Sequence, residues 1–430
     1  MIECGIGRLH TATIFIRGAR QLLTLRGPRR PRWGPELNEL SIIRDGALLI
    51  ADGIVVEAGP TRRVENLAAT RGAVEVSATG RVVMPGFVDS HTHLLFPPPG
   101  LPETDLQAAV AGVHSVTATR LAKRAGGHLG AMARHGTTTV EAKTGCGADE
   151  RAETKLLRVM KACAGGPVDV VPTFLLRMSA PGECGERESL AAMAWVLDEF
   201  LPKLRRRGLA RFADFVWEEE AARQPAYARY LETASRLGLS RKMHAERFSG
   251  AALEKLAAGQ PLTSVDHLDE VQAAYAAAIL RHGGIATLTP AASLHAGARP
   301  APARELIDAG IPVALASDFS PFQASTLNMQ TVVAAASMQM RMTPAEAISG
   351  ATVNGAYAVG CGARVGSLEV GKAADLLILN VSDYQELGRH LGANAVHLTM
   401  KRGAFVYQEG VVSPIPADRI RQARRASDGG

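Results

Sequence analysis

The 430-residue chain carries 48 lysines and arginines against 42 aspartates and glutamates, a formal net charge of +6, and is 47% hydrophobic, 21% charged and 5% aromatic. This is the composition of a globular protein with a sizeable core, and it excludes disordered and collagen-like chains. The basic excess collects at the ends, at Arg26, Arg29, Arg30 and Arg32 and again at Arg419, Arg421, Arg424 and Arg425, without the interleaved aromatics of a nucleic-acid-binding face. These arginines read as solvated tails, and no nucleic-acid partner is expected.

The length exceeds a single ordinary domain but suits one large α/β barrel with additions, since such barrels take about 250 residues and more with insertions. The five cysteines, Cys4, Cys146, Cys163, Cys184 and Cys361, are odd in number and lack metal-finger spacing, which points to a reducing compartment. There is no run of 18 apolar residues and no basic-then-apolar leader, so no membrane partner and a soluble cytoplasmic protein are expected.

In chain order, TATIFIRGA, QLLTL and ALLIADGIVVEAG read as short strands, and Asp52-Gly53 between two apolar runs signals a hairpin. GSLEVGKAADLLILNVSD and HLTMKRGAFVYQEGVV near the end have the same texture. Both ends are therefore expected to build one small β-sandwich domain, from residues 1–83 and 365–430, around a main domain over 84–364. There, apolar or β-branched runs alternate with long Ala/Leu/Arg/Glu-rich helical stretches, the pattern of βα units. Eight strands are predicted, at 82–88, 137–142, 168–175, 212–217, 242–245, 264–268, 285–288 and 312–316, the number that closes a (β/α)8 TIM barrel. The alternative, a doubly wound open sheet, would call for a glycine-rich phosphate turn after its first strand, and no GxGxxG is present there.

Such barrels work at the C-terminal ends of their strands. The first predicted strand runs into His91 and His93 within VVMPGFVDSHTHLLF, and residues at i and i+2 of a strand share a face, so two imidazoles can aim at one point. The fifth strand ends in His244, the sixth in His267 and the eighth in Asp318. Taken singly, each has a structural reading: a surface pair for HxH, a satisfied core histidine for His244, a helix cap or supporting group for His267, and an N-cap for Asp318. Taken together, at the ends of strands on one barrel face, they form a nitrogen-and-carboxylate set suited to a divalent ion such as zinc, with room for a water. The other histidines, His10, His114, His128, His135, His282, His295, His390 and His397, fall in helices or loops without such a pattern.

PGFVDSHTHLLF, MHAE, SVDHLDE and ALASDFSP together resemble the amidohydrolase superfamily. Within it, GTTTVEAKTGCG, VDVVPTFL, ALASDFSPF and TPAEAISGATVNGAYAVG are similar to the imidazolonepropionase family, whose members open the ring of 4-imidazolone-5-propanoate in histidine degradation. The likeness covers nearly the whole chain. It implies hydrolysis of a cyclic amide C–N bond with one divalent metal ion, zinc first and iron as the alternative, held by His91, His93, His244 and Asp318. It further implies that His267 touches the attacked carbonyl and stabilises the oxyanion, while Asp318 takes a proton from the attacking water and passes it to the departing nitrogen. Superfamily members often pair, so a homodimer is one expected assembly.

Departures from the family concern substrate contacts. Where the family has a glycine-rich turn and an arginine after HTHLVF, this chain has Pro97, Pro98, Pro99 and Gly100; Cys146 replaces a tyrosine, and Met178 beside Arg177 replaces a histidine. After His244 come Ala245, Glu246 and Arg247, with arginine where a glutamate is expected, and Ser320 and Phe322 replace an asparagine and a glycine. Arg177, Glu246, Arg247 and Ser320 are the substrate-binding candidates, with a shift of specificity among cyclic amides a live alternative. Lys143 reads as salt-bridged or substrate-facing, or as a carbamylated bridge in a dinuclear site; Cys146 reads as a packing residue or a nucleophile. Deamination of a nucleobase-like ring would want a glutamate at the place of Arg247, and a non-catalytic binding barrel would show a broken ligand set.

Overall fold

The computed structural model describes residues 13–102, 105–178, 186–217, 224–244, 261–268, 283–322 and 326–411. The strands before the main domain are β1 (Ile14–Leu23), β2 (Ile42–Ala51), β3 (Ile54–Pro60), β4 (Val74–Ser77) and β5 (Val82–Pro85). The barrel strands are β6 (Phe87–Asp89), β7 (Thr137–Lys143), β8 (Asp169–Leu176), β9 (Phe212–Phe215), β10 (Ser240–His244), β11 (Ser264–Asp266), β12 (Ile285–Leu288) and β13 (Val313–Leu315). The chain then adds β14 (Leu376–Leu379), β15 (Val396–Lys401) and β16 (Ala404–Gln408).

Strands from both ends share one sheet, in the order β16-β15-β14-β5-β1-β2-β3, with β4 also paired to β1. Its hairpin between β2 and β3 turns at Asp52 and Gly53, with φ of 51° and 76°. Two successive positive φ values match the right-handed twist of the strands they join, which is why Asp-Gly suits the position. TATIFIRGA and QLLTL, separate in sequence texture, are one strand, β1, whose register shifts between Ile16 and Ala19. Gly18 makes the irregularity, at φ 71°, where a side chain would also press on the Thr79 hydroxyl.

The second sheet is parallel and runs β6 through β13 in chain order. Its ends meet through backbone bonds: Asp318 N–H donates to the His91 carbonyl at 3.1 Å and His93 N–H to the Phe319 carbonyl at 2.7 Å. The Asp89 carboxylate reinforces the seam by accepting from the Ser317 N–H at 3.0 Å and hydroxyl at 2.6 Å. The expected TIM barrel with a small β domain is thus the observed architecture. Seven predicted strands lie within two residues of their observed limits. The first, 82–88, is instead two strands: Val82–Pro85 pairs with β14 in the small sheet, and Phe87–Asp89 opens the barrel. Gly86 is the hinge, donating its N–H to the Asp375 carbonyl at 2.9 Å, and a Cβ there would lie 2.3 Å from the Thr138 methyl carbon. A continuous apolar run conceals such a change of sheet because both halves are buried.

Helices seal the barrel from outside. In Ala118–Arg134 the buried residues Leu121, Ala125, Leu129 and Met132 recur at helical spacing, so one face is apolar. Thr117 caps its start by accepting from the Arg120 N–H, and the chain leaves it through Gly136 at φ 95°. Arg32, expected in a solvated tail, is instead 1% exposed. Its guanidinium donates to the carbonyls of Leu25 and Glu39, and its N–H to the Asn354 side chain at 2.8 Å, so the arginine fastens the first loop to the barrel. Among the described residues no helix is long and apolar enough to cross a membrane.

Glu153, on the buried face of the helix Glu150–Ala162, accepts from the Cys146 N–H at 2.6 Å. Burial pushes its carboxyl from an ordinary 4.5 up to about 8. Between those values the unfolded chain loses this proton while the folded chain keeps it, so stability falls as pH rises through the window. Thermal melts should therefore show the wild-type transition temperature dropping between pH 5 and pH 8 more steeply than that of Glu153→Gln; equal slopes would show that the carboxyl is not displaced.

Candidate active site

Alternation along the barrel strands decides what enters the interior. Glu141 and Lys143 on β7, Thr173 on β8, Asp214 on β9, Lys242 and His244 on β10, and Ser264 and Asp266 on β11 all point inward, and all but His244 are 0% exposed. Buried charges without water must compensate one another. Lys143 Nζ lies 2.5 Å from Asp214, 3.0 Å from Asp266 and 3.3 Å from Glu141. Lys242 Nζ lies 2.6 Å from Glu141, whose other oxygen accepts from the Thr173 hydroxyl at 2.5 Å. Burial alone would lower Lys143, but Asp214, Asp266 and Glu141 hold it above the ordinary lysine range. A cationic lysine so held is not available for carbamylation, and Lys143 is salt-bridged, one of the readings expected of it.

Above this layer, at the C-terminal mouth of the barrel, the imidazoles gather. Ring centroids lie 5.3 Å apart for His91 and His93, 5.0 Å for His91 and His244, and 4.3 Å for His244 and His267, whose rings stack. Asp318 Oδ1 lies 3.6 Å from His91 Nε2, 3.9 Å from His93 Nε2 and 3.5 Å from His267 Nε2. His91, His244 and His267 form one set whose ligand atoms lie within 4.8 Å of one another; His91, His93 and Asp318 form a second. His91 is common to both. A third set, His91, Glu141 and Asp266, already has the ammonium groups of Lys143 and Lys242 between its carboxylates.

Two residues reach this place through unusual backbone. His267 follows the inward-facing Asp266, so plain alternation would send it outward; its φ of 61° turns the chain and brings the ring inside. Asp318 has a φ of 54°. Left-handed conformations are uncommon in residues other than glycine and gather at functional sites.

The donor set fits a divalent cation. Burial, and then the Lys143 charge, hold His91 well below the ordinary histidine range; burial and the neighbouring imidazoles do the same to His244. Both rings are therefore neutral, and His91 Nε2 and His244 Nδ1 are buried with no hydrogen-bond partner among the described residues. Burial would raise the Asp318 carboxyl, but His267, by charge and hydrogen bond, holds it below its usual value. A carboxylate beside neutral imidazoles with unsatisfied lone pairs is what a borderline metal ion requires.

Residues 82–406 match the amidohydrolase family. The chain belongs to that family. A protein named imidazolonepropionase from Solibacter usitatus (strain Ellin6076) is 38% identical over 413 residues, covering 90% of this chain and 97% of that one. Another of that name, from Geobacillus thermodenitrificans (strain NG80-2), is 35% identical over 421 residues, covering 93% and 99%. The fold is also that of a zinc-bound adenosine deaminase structure from Xanthomonas campestris, which superposes with a TM-score of 0.67 at 20% identity, covering 97% of this chain and 98% of that one.

Of the substrate-binding candidates, Ser320 is buried just beyond Asp318, at 4% exposure. Arg177 follows β8 on the face of Thr173 and Leu175, its Nε 3.9 Å from where a Cβ on Gly145 would sit. Glu246 and Arg247 lie outside the described residues. Cys146 is a packing residue: burial, then the Glu153 charge, push its thiol well above the ordinary range, which removes the nucleophile reading. Reasoning from sequence passed over Asp266, Asp214, Glu141, Lys242 and Asp89. Their signal was present, since charged residues at alternate positions of otherwise apolar strands mark an inward polar face.

Removing Lys143 takes away the cation that lies between Asp214 and Asp266, and leaves Asp266 with the more distant Lys242, at 3.9 Å. Lys143→Met should cost about 3–5 kcal/mol in urea denaturation, and adding Asp214→Asn should restore part of it. A double variant no more stable than the single one would show that the two charges are not coupled.

Proposed function

We propose that the protein hydrolyses the C–N bond of a cyclic amide, with 4-imidazolone-5-propanoate as substrate, using one divalent ion, zinc, held by His91, His93, His244 and Asp318. The observation that carries this reading is the convergence at the barrel mouth of His91 and His244, whose buried Nε2 and Nδ1 have no hydrogen-bond partner among the described residues, with His93, His267 and the Asp318 carboxylate. The identity with proteins named imidazolonepropionase over nine-tenths of the chain supports the substrate.

A bound divalent ion supplies a lowered pKa for a neighbouring water and polarises the carbonyl. The chain's own residues then move the protons. The Asp318 carboxylate accepts a proton from the water as its oxygen bonds to the ring carbonyl carbon, and returns that proton to the ring nitrogen as the C–N bond breaks. His267, 3.5 Å from Asp318, donates to the oxygen on which negative charge develops. Arg177 takes the propanoate carboxylate, in place of the arginine that Pro97–Gly100 does not provide, and Ser320 contacts the ring.

Metal analysis and turnover test this together. Wild-type protein should hold about one zinc per chain and yield the ring-opened product, whereas His91→Ala and Asp318→Ala should lose both metal and turnover. Ammonia without ring opening would make the protein a deaminase, and a metal-free wild type would leave a binding protein. For the anion contact, Arg177→Gln should raise KM for the propanoate-bearing ring about 10- to 100-fold, from roughly 1.5–3 kcal/mol per charged hydrogen bond. It should leave the hydrolysis of uncharged rings such as hydantoin unchanged; equal losses on both would remove Arg177 from carboxylate binding.

A further inference from the structure

Asp266 touches the site from below without belonging to its mouth. Its Oδ2 lies 2.7 Å from His91 Nδ1 and 3.0 Å from Lys143 Nζ, and its Oδ1 accepts from the Ser264 hydroxyl at 2.6 Å. His91 and Asp266 are both 0% exposed, so no water competes for these contacts. A carboxylate is an acceptor only, and therefore the proton between it and the imidazole belongs to Nδ1. The lone pair of His91 is then on Nε2, the atom that faces Asp318 at 3.6 Å and has no hydrogen bond among the described residues.

We propose that Asp266, clamped between Lys143 and Ser264, is a positioning residue for the metal site. It fixes the tautomer and the ring angle of His91, so that Nε2 presents its lone pair to the shared centre, and its charge makes that nitrogen a stronger donor. Position in the fold supports the role. On paired strands Asp266 stands in register with His244, and it precedes His267 directly, so one short strand carries the support for the first-strand histidine and leads straight into a mouth residue. Lys143 contributes through Asp266 rather than by touching the mouth: its ammonium, fixed by Asp214 at 2.5 Å, prevents the carboxylate from rotating away from His91. Asp266 thus differs from the lysine-bound carboxylate of Asp214 in that it joins the buried charges to an imidazole of the mouth.

This inference rests on His91 being a metal ligand, and the experiment separates the two. Zinc affinity is measured by chelator competition on full-length protein, with fold checked by circular dichroism, for wild type, Asp266→Ala and Asp266→Asn. Wild type without zinc would overturn the functional reading itself. With zinc bound to wild type, Asp266→Ala should bind it about 10- to 100-fold more weakly. Asp266→Asn, which keeps an acceptor and drops the charge, should show a smaller loss. A folded Asp266→Ala, or an Asp266→Asn, that holds zinc as tightly as wild type would overturn the positioning role and leave Asp266 a counter-ion of the lysines. Should the alanine variant not fold, nitrogen-15 histidine spectra of zinc-loaded wild type and Asp266→Asn decide: an exchange-protected Nδ1–H signal that moves in the asparagine variant supports the role, and no change overturns it.

Discussion

Two lysines and three carboxylates buried inside a ring of strands must compensate one another's charge, and that constraint organises the structure. Glu141, Lys143, Asp214, Lys242 and Asp266 come from four strands, so their mutual compensation is possible only when the strands stand in one register. A slip of a single residue on any of them would turn a charge outward into the apolar shell and leave its partners uncompensated. The polar layer thus specifies the barrel beneath the mouth in a way that an oily filling would not. Its three negative charges against two positive ones leave a surplus carboxylate directly under the imidazoles, where a cation is favoured.

Closure of the ring is the complementary constraint. The strands carrying His91 and His93 on one side and Asp318 on the other are the first and the last of the barrel, and they become neighbours only at the seam. The backbone bonds that close the seam belong to the same residues, Asp318 to His91 and His93 to Phe319. Forming the barrel and assembling the site are therefore one event, and no loop rearrangement is needed to bring the two sides together.

Much of this was legible in the residues. Strand count, the Asp52-Gly53 turn and the histidines at strand ends follow from local periodicity and turn chemistry, which short windows carry. Long-range facts were not legible. That Val82–Pro85 changes sheets depends on β14, some 290 residues later. The burial of Arg32 depends on carbonyls of its own loop and on Asn354. The inward turn of His267 depends on a left-handed backbone that no side-chain pattern announces, and the role of Asp266 was hidden because an aspartate beside a more conspicuous histidine draws no notice. Lys143 and Cys146 carried two chemistries each until burial and neighbours decided between them.

The small sheet has a consequence for biosynthesis. β5 lies at its centre, bonded to β1 on one side and to β14 on the other. A ribosome delivers β1 through β5 long before β14 exists, so one flank of β5 is an open edge while the whole barrel is being made. Unpaired edges recruit other chains, and a polypeptide interrupted before residue 376 would keep that edge permanently. The last strands to emerge therefore act as a seal, and the nascent enzyme is most vulnerable to association with its own copies in the interval before they arrive.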